Sequence, residues 1–454
     1  MEKKTLMENL AREAHEKGVF NGTWLYGENG EIISKGALGF RDAEDKLPMQ
    51  EDSILDLASV SKQFTAAAIM LLRKRGLLRL EDELTEFFPG LPLPGVTIYH
   101  LLTHTGGVPD PADVNYYVKE WERENKVAPN SVVLRYLAES GAEPYFAPGD
   151  EWNYSNAGYN LLALIIEKVS GLRFAAFMRE NIFEPCGMHA TGVYHIRVDG
   201  IPSGNFARSM VLEHDRFVLP EESEHERDVI AADGQEGDGN VYSTISDLFA
   251  WDQALRRETL LSREEQELMY TPVKLNSGET FVDDQGAGYG FGWEIRNDGK
   301  LGLIAAHSGW HKGATSWYER FVDADRVLVM LWSRDAEDDI AYSAFREGMR
   351  AIAMDREPEP LRTIEEIAVE DPDRSEWESY CGKYAHEEGD TFYPDEVYRR
   401  DGALYVRFVQ AVRGELEARL YPFGEHEFGM KHFSFTLRLE NGTLTMFDEV
   451  YRKL

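Results

Sequence analysis

Short alternating apolar stretches stand at both ends of the first 355 residues, and most of the chain between them is patterned for helices. Near the start, stretches around residues 23–26 and 32–35 flank Asn29-Gly30, a pair suited to the two positive-φ positions of a tight hairpin turn. Near the end, residues 301–309, 315–321 and 326–332 form three β-like runs, the last two joined by Asp323-Ala324-Asp325. An amphipathic helix over about 6–17 precedes the hairpin, and Ile340, Ala344, Met349 and Ile352 mark a closing helix. This arrangement leaves few solutions. Strands from distant parts of the chain must complete one sheet, helices must cover it, and the intervening helical segment must form a lobe beside it. The expected class is α/β, with a cleft between sheet and lobe.

Asp355 to Asp373 carries Pro358, Pro360 and Pro372 among acidic residues and reads as a linker. A different pattern follows it. Leu404, Val406 and Phe408 alternate with Tyr405 and Arg407, and Phe433, Phe435, Leu437 and Leu439 alternate with Ser434, Thr436 and Arg438. Asp401-Gly402 and Asn441-Gly442 supply hairpin turns, so the end of the chain is expected to form a small antiparallel barrel or sandwich. The division is a domain of residues 1–355, a linker of 356–374 and an all-β domain of 375–454.

Within the first domain, Ser59-Val60-Ser61-Lys62 opens a strong helix pattern. Phe64, Ala68, Leu71 and Leu72 recur at helical spacing, and Gly76 supplies the stop. Residues three apart share one helix face, so the Lys62 amine can reach the Ser59 hydroxyl, and the positive end of the helix dipole favours the neutral amine that can take its proton. Taken alone, a serine here is as well explained as an N-cap. Two further elements add weight. Pro148-Gly149-Asp150 makes a turn, after which Tyr154-Ser155-Asn156 falls on a loop entering a helix with an apolar face of Tyr159, Leu162, Ile165, Ile166 and Val169. His307-Ser308-Gly309 lies on one of the late strands.

In order and spacing these three elements resemble the serine β-lactamase and penicillin-binding protein superfamily, whose signature joins Ser-x-x-Lys, a Ser- or Tyr-x-Asn element and a Lys-Thr-Gly strand. The tyrosine resembles the class C branch, with its esterases and D-aminopeptidases. Lys62 through Ala66, Leu101 through Gly107 and Phe183 through Met188 are similar to that branch's framework, and the likeness covers about residues 5–355. It implies a β-lactamase/transpeptidase-like antiparallel sheet flanked by helices, with a helical lobe. The segment after it resembles the lipocalin-like barrel that follows this domain in some of the branch's peptidases and esterases.

The resemblance implies acyl transfer through a serine ester, with no cofactor and no metal. Ser59 attacks a carbonyl, Lys62 and Tyr154 share the proton transfers, Asn156 orients substrate and Lys62, and the backbone N–H groups of Ser59 and Trp310 form the oxyanion hole. His307, Ser308 and Gly309 complete the substrate side. Lysine is the family's residue where this chain has His307, and a histidine, largely neutral near pH 7, is a poorer anchor for a substrate carboxylate. His307 either contacts substrate or shapes the strand, and His104 is expected to be a structural turn residue. The expected substrate is a small molecule or short peptide cleaved at an amide or ester by a D-aminopeptidase, amidase or carboxylesterase. A β-lactamase, a D,D-carboxypeptidase and a binding protein without turnover are the alternatives.

Charge narrows the partners. With 81 Asp and Glu against 48 Lys and Arg, the net charge of −33 argues against a nucleic-acid or anionic membrane partner and leaves homo-oligomerisation open. The polar start Met1-Glu2-Lys3-Lys4 points to a cytoplasmic protein, and the two cysteines, Cys186 and Cys381, to free thiols. Residues 192–238 are poorly periodic and rich in acids, among them Glu221, Glu222, Glu224, Glu226, Asp228, Asp233, Glu236 and Asp238. They read as a solvated loop beside the site, with attraction of a substrate ammonium as the alternative.

Overall fold

The computed structural model describes all residues except 1, 43–45, 115, 118, 120–126, 203, 214–215, 224–227, 335–339, 371, 386–391, 411–413, 432 and 448. Its principal elements are α1 (Lys3–Glu16), β1 (Gly22–Glu28), β2 (Glu31–Leu38), α2 (Lys62–Lys74), α3 (Asn156–Ser170), α4 (Ile245–Arg256), β3 (Gly288–Tyr289), β4 (Glu294–Asp298), β5 (Gly302–His311), β6 (Ala314–Phe321), β7 (Arg326–Trp332) and α5 (Ile340–Ala353). The seven strands form one sheet in the order β3-β4-β5-β6-β7-β1-β2. Every neighbouring pair is antiparallel. The N-terminal hairpin therefore joins the late strands, with Gly22 opposite Trp332 and Glu28 opposite Arg326. Asn29 and Gly30 turn it with φ of 53° and 76°.

Alternation along β7 shows why the sheet sits between two helical layers. Val327, Val329 and Leu331 enter the core shared with α2, α3 and α4, whereas Leu328, Met330 and Trp332 enter the one shared with α1 and α5. Every residue of α2 from Lys62 to Leu72 is buried, which is the burial expected of a helix enclosed on all sides. Phe64 packs edge-on against Phe183 at 5.5 Å and near Trp251 at 5.1 Å. Burying one such ring contributes about 1.5–3 kcal/mol, and this packing holds the first turn of α2 still.

The central lobe contains more than helices. Leu55–Asp56, Gly192–Val193 and Val241–Ser243 form a small three-stranded sheet, and Val211–Glu213 pairs with Arg216–Val218. Strands of two or three residues are too short to show alternation in the sequence. The acidic stretch also differs from a solvated loop. Asp233 and Glu236 are buried, Asp233 against Arg197 Nη1 at 3.3 Å and Glu236 against His195 Nε2 at 3.1 Å. Glu221 and Glu222 are exposed. Glu224, Glu226 and the side chain of Asp228 lie outside the described residues.

After α5 the proline-rich segment is pinned to the first body. Leu361 is buried in the α1–α5 core, and Lys17 Nζ donates to its carbonyl at 2.7 Å and pairs with Glu366 at 2.8 Å. Eight antiparallel strands, from Gly382–Lys383 to Glu449–Arg452, then pair in sequence order as a curled half-barrel. Its two edges touch at the Tyr384–Lys453 bridge, where Leu454 N–H donates to the Lys383 carbonyl at 2.9 Å. Val397, Val406, Phe408, Leu437 and Leu439 belong to a core of its own. Cys186 and Cys381 are free thiols. Among the described residues no helix is long and apolar enough to cross a membrane.

Candidate active site

Ser59 lies in a 3-10 turn, Ala58–Ser61, that leads directly into α2. The turn is tied from both sides. Asp56 accepts the Ala58 N–H at 2.9 Å and faces His311 Nδ1 at 2.9 Å, and the Leu57 carbonyl accepts from Ser316 Oγ at 2.6 Å. These bonds hold Ala58 at φ 44°, a left-handed conformation that an alanine adopts only at a cost of about 1–3 kcal/mol. Backbone strain of this kind one residue before a hydroxyl marks a position that the fold over-determines.

Lys62 is fully buried and has three acceptors. Its Nζ lies 3.0 Å from Ser59 Oγ, 2.8 Å from Asn156 Oδ1 and 2.9 Å from the Asp238 carbonyl. Burial pulls its pKa down to about 8, although the Asp238 and Asp110 carboxylates favour the ammonium. A lysine of this kind is part neutral near pH 7 and in contact with a hydroxyl, the arrangement needed to take a proton from it. The helix packs closely enough against β3 and β4 to require glycine between them. A Cβ on Gly292, which has φ 74°, would lie 2.9 Å from the Lys62 carbonyl.

Asn156 begins α3, and Ser155 caps it, accepting the Gly158 N–H at 3.0 Å. Tyr154 therefore stands just outside the helix, 36% exposed, with Lys62 Nζ 4.8 Å from its ring centroid. Its ring lies against that of His104, centroids 4.4 Å apart. His104 has φ 59° and is buried, consistent with the turn role expected for it. On β5, Gly309 runs against the nucleophile turn. A Cβ there would lie 2.3 Å from the Leu57 carbonyl oxygen and 3.1 Å from the Ser59 nitrogen. Ser308 and Trp310 are half-buried on either side of it, and Ser308 lies opposite Trp317.

His307 is buried, and both its ring nitrogens have partners within the protein: Tyr289 Oη at 2.9 Å and the Ser308 carbonyl at 2.5 Å. Burial, then the Lys62 charge, pushes its pKa down to about 3, so it is uncharged at neutral pH.

A cavity of about 270 Å³ opens beside Ser59, lined among others by Asn156, Asn160, Asp238, Trp310 and Lys312. Tyr154 and His307 are not in its lining. The sequence elements containing Ser59, Lys62, Tyr154, Asn156 and Gly309 thus converge. Asp238, Gly239 and Asn240 also line the cavity; the sequence places Asp238 in an acidic loop beside the site but does not single out Gly239 or Asn240. Thr65 Oγ1 donates to the Gly237 carbonyl at 2.7 Å, Asn160 Nδ2 donates to the Glu236 carbonyl at 3.0 Å and to Asp238 Oδ1 at 2.5 Å, and Val241 N–H donates to Ser61 Oγ at 3.2 Å. The one local signal was the turn-rich Gly237-Asp238-Gly239-Asn240 ahead of a β-like Val241-Tyr242-Ser243.

The Beta-lactamase family profile matches residues 7–347. Penicillin-binding protein 4* of Bacillus subtilis (strain 168) is 34% identical over 441 residues, 97% of this chain and 93% of its own length. Esterase EstB of Burkholderia gladioli is 26% identical over 355 residues, 70% of this chain and 86% of its own. The crystal structure of the D-amino acid amidase from Ochrobactrum anthropi SV3 superposes with a TM-score of 0.63 at 21% identity, covering 78% of this chain and 97% of the amidase, a likeness of fold.

Proposed function

The chain belongs to the β-lactamase family, and from that premise we propose that it is a serine hydrolase that cleaves an amide or ester through a Ser59 acyl-enzyme. The observation that carries the reading is the fully buried Lys62 amine 3.0 Å from Ser59 Oγ. In the proposed cycle neutral Lys62 takes the Ser59 proton as Oγ attacks the carbonyl carbon. The developing oxyanion is held by the backbone N–H groups of Ser59 and Trp310. Tyr154 relays the proton to the departing amine or alcohol, and a water molecule, deprotonated by the same pair, releases the acid and restores Ser59. Asn156 acts on Lys62 through its 2.8 Å hydrogen bond and keeps its amide NH₂ for the substrate.

The substrate reading is an acyl donor with a free amine or no charge, which describes a D-aminoacyl amide or peptide, or a carboxylic ester. Two observations support it. His307, buried and uncharged, offers no cation to a substrate carboxylate. Asp110 and Asp238 line the cavity beside Ser59 and suit an ammonium. A second reading, a D,D-carboxypeptidase or β-lactamase, has Lys312 in the cavity wall and the name of the B. subtilis relative in its favour.

A fluorophosphonate probe tests the chemistry: wild type is labelled and Ser59→Ala is not. Equal labelling of the two, or none of wild type, refutes the hydrolase and leaves a binding protein. Turnover of p-nitrophenyl esters, D- and L-aminoacyl p-nitroanilides and a chromogenic β-lactam then divides the subclasses, and hydrolysis of the β-lactam alone would reverse the substrate reading.

A further inference from the structure

Behind Tyr154, three buried side chains that the acyl-transfer steps do not consume form one hydrogen-bonded row. His104, on the turn after residues 98–102, Tyr289 on β3 and His307 on β5 are each no more than 3% exposed. His104 Nε2 lies 3.1 Å from Tyr289 Oη, and Tyr289 Oη lies 2.9 Å from His307 Nε2.

The two ends of the row fix the direction of every proton in it. The Ser155 backbone N–H can only donate, and it meets His104 Nδ1 at 3.1 Å. Nδ1 therefore carries a lone pair, and neutral His104 bears its proton on Nε2. That proton is donated to Tyr289 Oη, which leaves the tyrosine O–H to donate to His307 Nε2. His307 then carries its own proton on Nδ1, where the Ser308 carbonyl, which can only accept, lies 2.5 Å away. Reversing any one bond sets two donors or two lone pairs against each other. Both rings lie in surroundings that hold them neutral: burial first, then the charge of Lys62.

The row spans the cleft. It starts on Ser155, between Tyr154 and Asn156, and ends on Ser308, beside the Gly309 that faces the Ser59 turn. On the way the His104 ring packs against Tyr154. Resting on the serine-hydrolase reading, we infer that His104, Tyr289 and His307 are positioning residues: the row sets the tilt of Tyr154 and its distance from Ser59 and β5, and position 307 must hold an acceptor. A lysine ammonium at 307 can only donate. Like His104 Nε2–H it would face Tyr289 Oη, and the tyrosine proton would turn away from β5 toward the Tyr159 hydroxyl, which breaks the row.

The test uses the full chain and a p-nitrophenyl ester, with kcat and KM measured for wild type, Tyr289→Phe, His307→Gln and His307→Lys. Glutamine offers an amide oxygen close to where Nε2 stood. Tyr289→Phe should lower kcat about tenfold to a hundredfold with KM within about twofold, because misplacement of a proton donor affects the chemical step more than binding. His307→Gln should stay within about threefold of wild type, and His307→Lys should fall to the level of Tyr289→Phe or below. A Tyr289→Phe kcat within about twofold of wild type, or His307→Lys as active as His307→Gln, overturns the inference. If Tyr289→Phe is recovered unfolded, the His307 pair decides alone. Fluorophosphonate labelling of wild type separates the two failures, since an unlabelled wild type removes the hydrolase reading itself.

Discussion

Activity should follow the titration of Lys62, and the expected curve can be worked from its surroundings. Burial brings the pKa from 10.5 to about 8. At pH 7 a lysine with the ordinary value is neutral in about 3 molecules per 10,000, whereas one at 8 is neutral in about a tenth, a gain of about 300-fold in available base. For an uncharged ester, with the released phenol followed at its isosbestic wavelength, log kcat/KM should rise with a slope of about one below pH 8 and level by about pH 9. Asp238→Asn removes a charge that favours the ammonium, while the backbone carbonyl that accepts from Lys62 remains. Its acid limb should therefore move to lower pH. Lys62→Arg keeps a cation that does not deprotonate and should lose at least about a thousandfold at every pH. A flat wild-type profile between about pH 6 and pH 9, or a limb that Asp238→Asn moves upward, would refute Lys62 as the base. The shift also has a stability sign. The unfolded chain holds the proton up to about 10.5 and the folded one only to about 8, so the fold carries a cost of about 3 kcal/mol below pH 8 that is relieved as pH rises through that window.

Gly309→Ala would drive a methyl group to 2.3 Å from the Leu57 carbonyl oxygen and push β5 away from the Ser59 turn. Its labelling rate with the fluorophosphonate should drop about a hundredfold, and a rate within about threefold of wild type would show that the strand does not position the nucleophile. Asp252, itself buried, holds Arg320 Nε at 2.7 Å and Arg256 Nε at 2.6 Å. Asp252→Asn leaves the buried Arg320 guanidinium without its carboxylate and should cost about 3–5 kcal/mol in guanidinium denaturation; a loss under about 1 kcal/mol would mean that the arginine finds other compensation.

How much of this was legible in the sequence depends on the range over which each interaction acts. The sheet was legible because alternation is local and Asn29-Gly30 and Asp401-Gly402 mark their own turns. Ser59 with Lys62, and Tyr154 with Asn156, were legible because each pair is carried within one turn or one helix entry. What escaped was set by pairing at a distance. The third acceptor of Lys62 is a backbone carbonyl 176 positions away, and a carbonyl has no residue type to read. Tyr289 was visible only as part of a glycine-spaced return to strands, although it joins His104 to His307. In the sequence the acids Asp233 and Glu236 read as solvated charges, because composition counts charges without their partners. Arg197 and His195 meet them inside the lobe.

Burial accounts for the division of labour among the site's basic groups better than residue type does. Lys62, His104 and His307 are all withdrawn from water, and withdrawal disfavours the charged form of each. Only Lys62 has carboxylates, Asp238 and Asp110, among the charges acting on it, and they hold its titration within reach of neutral pH. The two histidines feel the Lys62 charge instead, which drives them further from protonation. Lys62, brought near neutrality, is therefore flanked by two rings that do not titrate there. In the proposed hydrolase, selection of the acyl group falls to other side chains of the cavity wall, Asp110, Asp238 and Lys312 among them.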